Sequence, residues 1–125
     1  MVFNDAGEIL LIRNSYGNSA LFVLPGGGIR RRENPEDAAL REVREEVGLQ
    51  VAELTLVGIY ESGAEGKRDR VHLFKARAQG APSVDSIEVE EARFFAPNDL
   101  PDNVSPATLR RLHELEGTRP IDGGW

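Results

Sequence analysis

LPGGGIRRRENPEDAALREVREEVGL, Leu24 to Leu49, joins a glycine-rich turn to a segment crowded with carboxylates. Asn34 suits a helix N-cap, Pro35 the first helical position and Gly48 a left-handed C-cap, which predicts a helix over Pro35–Val47. At 3.6 residues per turn, Ala39, Leu40, Val43 and Val47 form an apolar stripe, and Glu42, Glu45 and Glu46 share a neighbouring face. Like charges at that spacing cost an isolated helix roughly 0.2–0.5 kcal/mol per pair. A solvated acidic face is one reading. The others offset the repulsion with a basic neighbour, such as Arg41 or Arg44, or with a hard cation of the magnesium or manganese kind.

The spacing separates these readings. Gly27 is followed after five residues by Glu33, after seven more by Arg41-Glu42-Val43, after one by Glu45-Glu46 and after one by Gly48-Leu49. This pattern resembles, at every fixed position, the signature box of the Nudix hydrolases. Leu24-Pro25-Gly26 before the box and Glu88 to Phe95 after it resemble further landmarks of that family. The resemblance implies an α/β/α sandwich with a mixed central sheet. It also implies hydrolysis of a nucleoside diphosphate linked to another group, a nucleoside triphosphate or nucleotide sugar being the most plausible kind of substrate. By the same resemblance Glu42, Glu45 and Glu46, with the main-chain carbonyl of Gly26, are expected to hold Mg2+ or Mn2+. Glu33 and Arg41 are expected to position or charge-balance that set. Members differ in their general base, some using a box glutamate and others a carboxylate from a distant loop; here Glu88 leads the outside candidates, with Asp85 second. A nucleotide-binding or sensing module without turnover is the alternative, and the intact set of box glutamates favours catalysis.

Size and composition narrow the field. A chain of 125 residues with 40% hydrophobic content suits a single domain over residues 1–125. A net charge of −6 disfavours a nucleic-acid coat or an anionic membrane surface as the main partner. A small nucleotide derivative is the expected partner, to a monomer or a homodimer. No apolar run reaches the roughly 20 residues of a membrane span, and no secretory signal is evident, so the expected location is cytoplasmic. The absence of cysteine excludes disulfides, thiolate metal sites and cysteine nucleophiles. His72 and His113 lie in no ligand spacing and read as structural or surface residues. No Gly-x-Ser-x-Gly turn supports a serine nucleophile. The glycines form neither a dinucleotide fingerprint, since Arg31 takes its third position, nor a phosphate-binding loop.

Along the rest of the chain, Met1–Phe3, the turn Asn4–Gly7 and Glu8–Arg13 read as a hairpin whose first strand is either short or trimmed. Leu21–Leu24 reads as a short strand. Phe22 within it serves either in core packing or in stacking on a base, and Tyr16 and Tyr60 are further stacking candidates. Arg30, Arg31 and Arg32 either are solvated or clamp a substrate phosphate, and the family often has glycine at the place of Arg32. Val51–Glu61 reads as one long strand or two joined by a bend, with a hairpin tip over Ser62–Asp69. Arg70–Ala78 and Glu88–Phe95 read as strands, and Pro97–Pro101 as a turn or one helical turn. Ser105-Pro106 starts a second helix that ends near Gly117, carries Leu109, Leu112 and Leu115, and is expected on the sheet face opposite the acidic helix. The tail Thr118–Trp125 is either loose or docked through Trp125. The loops at Asn14–Ser19, Ser62–Asp69 and Gln79–Ser86 are expected to select the substrate.

Overall fold

A computed structural model of the chain describes residues 1–63, 69–84 and 86–125. Much of the expected hairpin tip, and Asp85, lie outside the described residues. Seven elements appear in order: β1 (Val2–Phe3), β2 (Ile9–Asn14), α1 (Pro35–Val47), β3 (Val51–Ser62), β4 (Asp69–Ala78), β5 (Val89–Phe95) and α2 (Pro106–Glu116). The strands form one sheet in the order β3-β4-β1-β2-β5. The β1–β4 pair is parallel and the other three pairs are antiparallel, so the sheet is mixed.

The fold depends on β2. Ile9, Leu10, Leu11 and Ile12 are consecutive and all fully buried, so this strand is covered on both faces. Because side chains alternate along a strand, Leu10 and Ile12 pack with Val43 and Val47 of α1, while Ile9 packs with Leu112 of α2 and Leu11 against Leu109. The two helices therefore lie on opposite faces, giving the α/β/α sandwich. The same alternation settles β4: Val71 and Leu73 face the α2 side, and Ala78 faces α1.

Local chemistry explains the element ends. Asn4 Oδ1 accepts from the N–H groups of Ala6 and Glu8, closing the β1–β2 turn. Asn34 Oδ1 accepts from Asp37 N at 2.7 Å, Pro35 opens α1, and Gly48 (φ 69°) ends it. Ser105 and Gly117 do the same for α2. β3 is one continuous strand, and its bend is absorbed by two register shifts and by Glu53 in the left-handed region at φ 56°.

Three expectations need correction. Leu21–Leu24 is no strand: Phe22 and Val23 make only isolated bridges, to Val104 and Ile12. The inward stripe of α1 includes Ala38, while Ala39 and Leu40 are half-buried. On α2 the buried residues are Thr108, Arg111, Leu112 and Glu114, and Leu115 is exposed.

The tail docks. Glu61 N donates to Gly123 O at 2.8 Å and Trp125 N to Glu61 O at 2.9 Å, so the tail runs beside β3. The Trp125 ring meets Tyr60 edge-on at 5.6 Å, and the Arg111 guanidinium lies 4.2 Å from the Tyr60 centroid and 5.1 Å from that of Trp125. Arg111 also donates to Gly124 O at 2.7 Å and is ion-paired with Glu114. Both charged side chains are almost wholly buried. Removing one partner of such a pair strands a buried charge. Glu114→Ala is expected to lower unfolding stability by about 3–5 kcal/mol, measured by urea denaturation; a loss under about 1 kcal/mol would show that Arg111 is held by its aromatic and carbonyl contacts alone.

Candidate active site

The acidic face of α1 is built around Arg41, which is 8% exposed. Its Nε donates to Glu33 Oε2 at 2.8 Å and its Nη2 to Glu33 Oε1 at 2.9 Å, a two-pronged pair. Nη2 also donates to Gly28 O at 2.9 Å, while Nη1 donates to Glu42 Oε1 at 2.8 Å and to Glu45 Oε2 at 3.2 Å. One planar cation thus ties the glycine turn, Glu33 and two box glutamates together. The hydrogen bonds from Arg41, and then from the Arg30 N–H, hold the Glu33 carboxyl down at about 2. In return Glu33, then Glu42, pushes the Arg41 guanidinium further up.

Glu46 is held differently. It is 5% exposed, and its Oε1 accepts from Gly26 N at 2.9 Å. Burial, then the charge of Glu42, raises its carboxyl to about 8; the Gly26 N–H opposes that rise, and Glu88 and Glu45 add to it. Gly27 is small for a reason. A Cβ there would stand 2.7 Å from the Glu42 carboxylate.

The arginine loop divides. Arg30 is exposed and its Nη2 reaches Glu45 Oε1 at 3.3 Å. Arg31 is exposed in a turn. Arg32 adopts φ 66°, the left-handed conformation that glycine accepts without strain. Two aromatic candidates are removed from the site. Phe22 is 5% exposed and packs edge-on against Phe95 at 5.1 Å, in the core on the α2 side. Tyr60 is 1% exposed beneath Trp125. The stacking role therefore falls to neither. Tyr16 is 58% exposed, and its phenol is raised by partial burial and then by the charges of Glu46, Glu88 and Glu42.

A cleft of about 700 Å³ opens next to this patch, lined by Gly26–Gly28, Ile29, Ala39, Glu42, His72 and Phe74. His72 Nδ1 is buried there without a hydrogen-bond partner among the described residues. From the sequence His72 read as a structural or surface residue, and Phe74 carried no assignment. Their alternation along β4 was visible, but which face met a cleft was not.

Among the described residues, no three Asp, Glu or His side chains already form a ligating cage. The contacts explain why: Arg41 draws Glu42 and Glu45 to itself, and the Gly26 N–H holds Glu46. The donors still suit a hard divalent ion in kind, being carboxylate oxygens around a buried acid that other acids oppose.

The NUDIX domain profile matches residues 1–115. The chain is a Nudix hydrolase. It is 35% identical over 103 residues to the ADP-ribose pyrophosphatase of Methanocaldococcus jannaschii, covering 80% of this chain and 61% of that protein. It is 28% identical over 121 residues to a MutT-like protein of Streptomyces ambofaciens, covering 96% and 76%. Among solved structures it resembles the MutT NUDIX hydrolase from Burkholderia pseudomallei, with a TM-score of 0.77, 29% identity, and coverage of 91% and 95%. Among the described residues no helix is long and apolar enough to cross a membrane.

In this Nudix hydrolase the raised Glu46 carboxyl ties stability to pH. Between its ordinary value of 4.5 and the folded value of about 8, the native state keeps a proton that the unfolded chain releases. Stability therefore falls as pH rises through that window. The metal-free protein is expected to melt at a lower temperature at pH 8 than at pH 5.5, and Glu46→Gln to flatten the difference. An unchanged slope in calorimetry of the variant would assign the pH dependence to other groups.

Proposed function

We propose that this chain hydrolyses a nucleoside diphosphate linked to another group, using Mg2+, with Mn2+ as a substitute. The observation that carries the reading is the Arg41 hub, which gathers Glu33, Glu42 and Glu45 beside the buried Glu46 at the edge of a ligand-sized cleft. In this reading Glu42, Glu45, Glu46 and the carbonyl of Gly26 hold the ion, in keeping with the general use of divalent metals by Nudix hydrolases. When bound, that ion supplies charge neutralisation for the phosphate oxygens and activation of water.

The protein's own residues do the rest. Arg41 and Glu33 keep the acids in place, because a fixed cation among them limits their mutual repulsion. Arg30, already reaching Glu45, and the exposed Arg31 hold phosphate oxygens and so orient the diphosphate. Water attacks one phosphorus, the bridging P–O bond breaks, and the leaving phosphate departs with the electron pair. The proton of that water passes to a carboxylate. Glu88 is the assigned base: it lies just before β5, comes from outside α1, and its charge is felt at Glu46. The nucleoside end lies in the cleft, against Phe74 and Ile29. Nucleotides and free divalent ions meet in the cytoplasm, the proposed setting.

One relative is named an ADP-ribose pyrophosphatase, and a phosphate-release screen across nucleoside triphosphates, ADP-ribose, nucleotide sugars and dinucleoside polyphosphates tests that class beside the others. Hydrolysis of at least one class with Mg2+ is expected; no turnover with Mg2+ or Mn2+ would favour the binding-module alternative. Glu45 is half exposed, so Glu45→Gln is expected to lower kcat by at least 100-fold while leaving the melting temperature within about 2 °C. Retained turnover would remove Glu45 from the ligand set.

A further inference from the structure

The cleft accounts for one side of the acidic patch only. Glu42 lines it together with Ala38, Ala39 and Val43 of α1, whereas Glu45 and Glu46 do not. Along α1, Glu46 lies four residues beyond Glu42, about 6 Å of helix rise. On that far side stand two loops that are stapled to each other. Ser15 N donates to Glu88 O at 2.9 Å, Ser15 Oγ donates to Ile87 O at 2.6 Å, and Asn14 pairs with Val89. The stapling holds Tyr16 and Ile87 at neighbouring positions beside Glu88. Both are large, apolar or aromatic, and open to solvent, at 58% and 94% exposure. Contacts tie these loops to the C-terminal end of α1: Ser83 N donates to Val47 O at 2.8 Å, and Val89, next to Glu88, packs in one cluster with Val43 and Val47. The cleft therefore meets α1 at Glu42, and the Tyr16–Ile87 platform lies toward its Glu46 end.

A substrate of the proposed kind has two ends, joined by phosphates that must lie over the acids. With the nucleoside in the cleft, the second group emerges at the platform. We infer that Tyr16 and Ile87 form a second subsite, on which a planar ring at the far end of the polyphosphate chain stacks, so that the preferred substrates carry a ring on both sides of the diphosphate. Bare phosphate finds no cation at either residue, whereas a ring gains stacking on the phenol and burial of the Ile87 side chain. The subsite rests on the proposed hydrolysis for its orientation, but its ring-binding chemistry stands apart from turnover.

The test compares a diadenosine polyphosphate with ATP on this chain, wild type against Tyr16→Ala, Tyr16→Phe and Ile87→Ser, with Mg2+. Stacking predicts that Tyr16→Ala lowers the ratio of kcat/KM for the dinucleotide over that for ATP about tenfold, through KM. Ile87→Ser should lower it less, and Tyr16→Phe should restore it. Equal losses on both substrates, or no loss in the ratio, would overturn the second subsite while leaving the hydrolysis intact. Calorimetric titration of the same dinucleotide in Ca2+ supplies a readout that needs no turnover. If wild type hydrolyses neither compound, weaker binding by Tyr16→Ala still supports the platform, and equal binding by both proteins rejects it.

Discussion

The guanidinium of Arg41 is the group on which the site depends. Three glutamates on one helical face repel one another, and the helix carrying them is packed against the sheet, so they cannot all relax into solvent. Arg41 resolves this by spending every N–H direction on an oxygen: two on Glu33, one each on Glu42 and Glu45, and one on the Gly28 carbonyl. A lysine could supply the charge but not the planar fork that reaches loop and helix together. The same contacts fix the glycine turn against α1. Loop position and carboxylate position are then one property, since displacing either breaks bonds to the same group.

Beneath that hub the sheet works as a spacer between two unlike faces. β2 is buried on both sides, and its alternation sends Leu10 and Ile12 to α1 and Ile9 and Leu11 to α2. On the α1 face the packing ends at Val43 and Val47, one residue from the acids on either side, so the core reaches the rim of the site. On the α2 face the packing includes an unusual node, with the Arg111–Glu114 pair capped by Tyr60 and Trp125. Desolvating both charges costs several kcal/mol per ion, and the aromatic faces and the Gly124 carbonyl offset part of that cost. The C-terminal tail is thereby part of the fold.

Helix α1, both caps and the acidic cluster were legible in the sequence, because they rest on local rules: a cap residue, a proline, a glycine and a period of 3.6. The box spacing added the chemistry. What escaped were features set by distant pairing. Leu21–Leu24 has the composition of a strand, yet its backbone partners come from β2 and from Asn103 to Ser105, which leave it as bridges. Phe22 precedes the glycine turn closely enough to suggest ring stacking, but alternation turns it to the α2 side, where Leu11 and Val104 enclose it. Arg32 stood out as a departure from glycine, and its φ of 66° gives that departure a physical meaning. His72, Phe74 and the tail could not be placed, since a cleft or a docking surface belongs to no single segment.

The pairing of β1 bears on how the protein acquires its structure. This two-residue strand sits between β4 and β2, with Val2 opposite Ala76, and β2 in turn pairs with β5 from Ile9↔Phe95 onward. The centre of the sheet therefore joins parts of the chain far apart in sequence, while β3 and β4 are neighbours and can pair early. Such distant closures carry a loop-entropy cost before any contact rewards them. During synthesis α1 emerges before β4 and β5 exist, so its apolar stripe must wait for the sheet that covers it. The helix that carries the proposed metal-binding acids is made before α2, and its packing is complete only once β4 and β5 have joined the sheet.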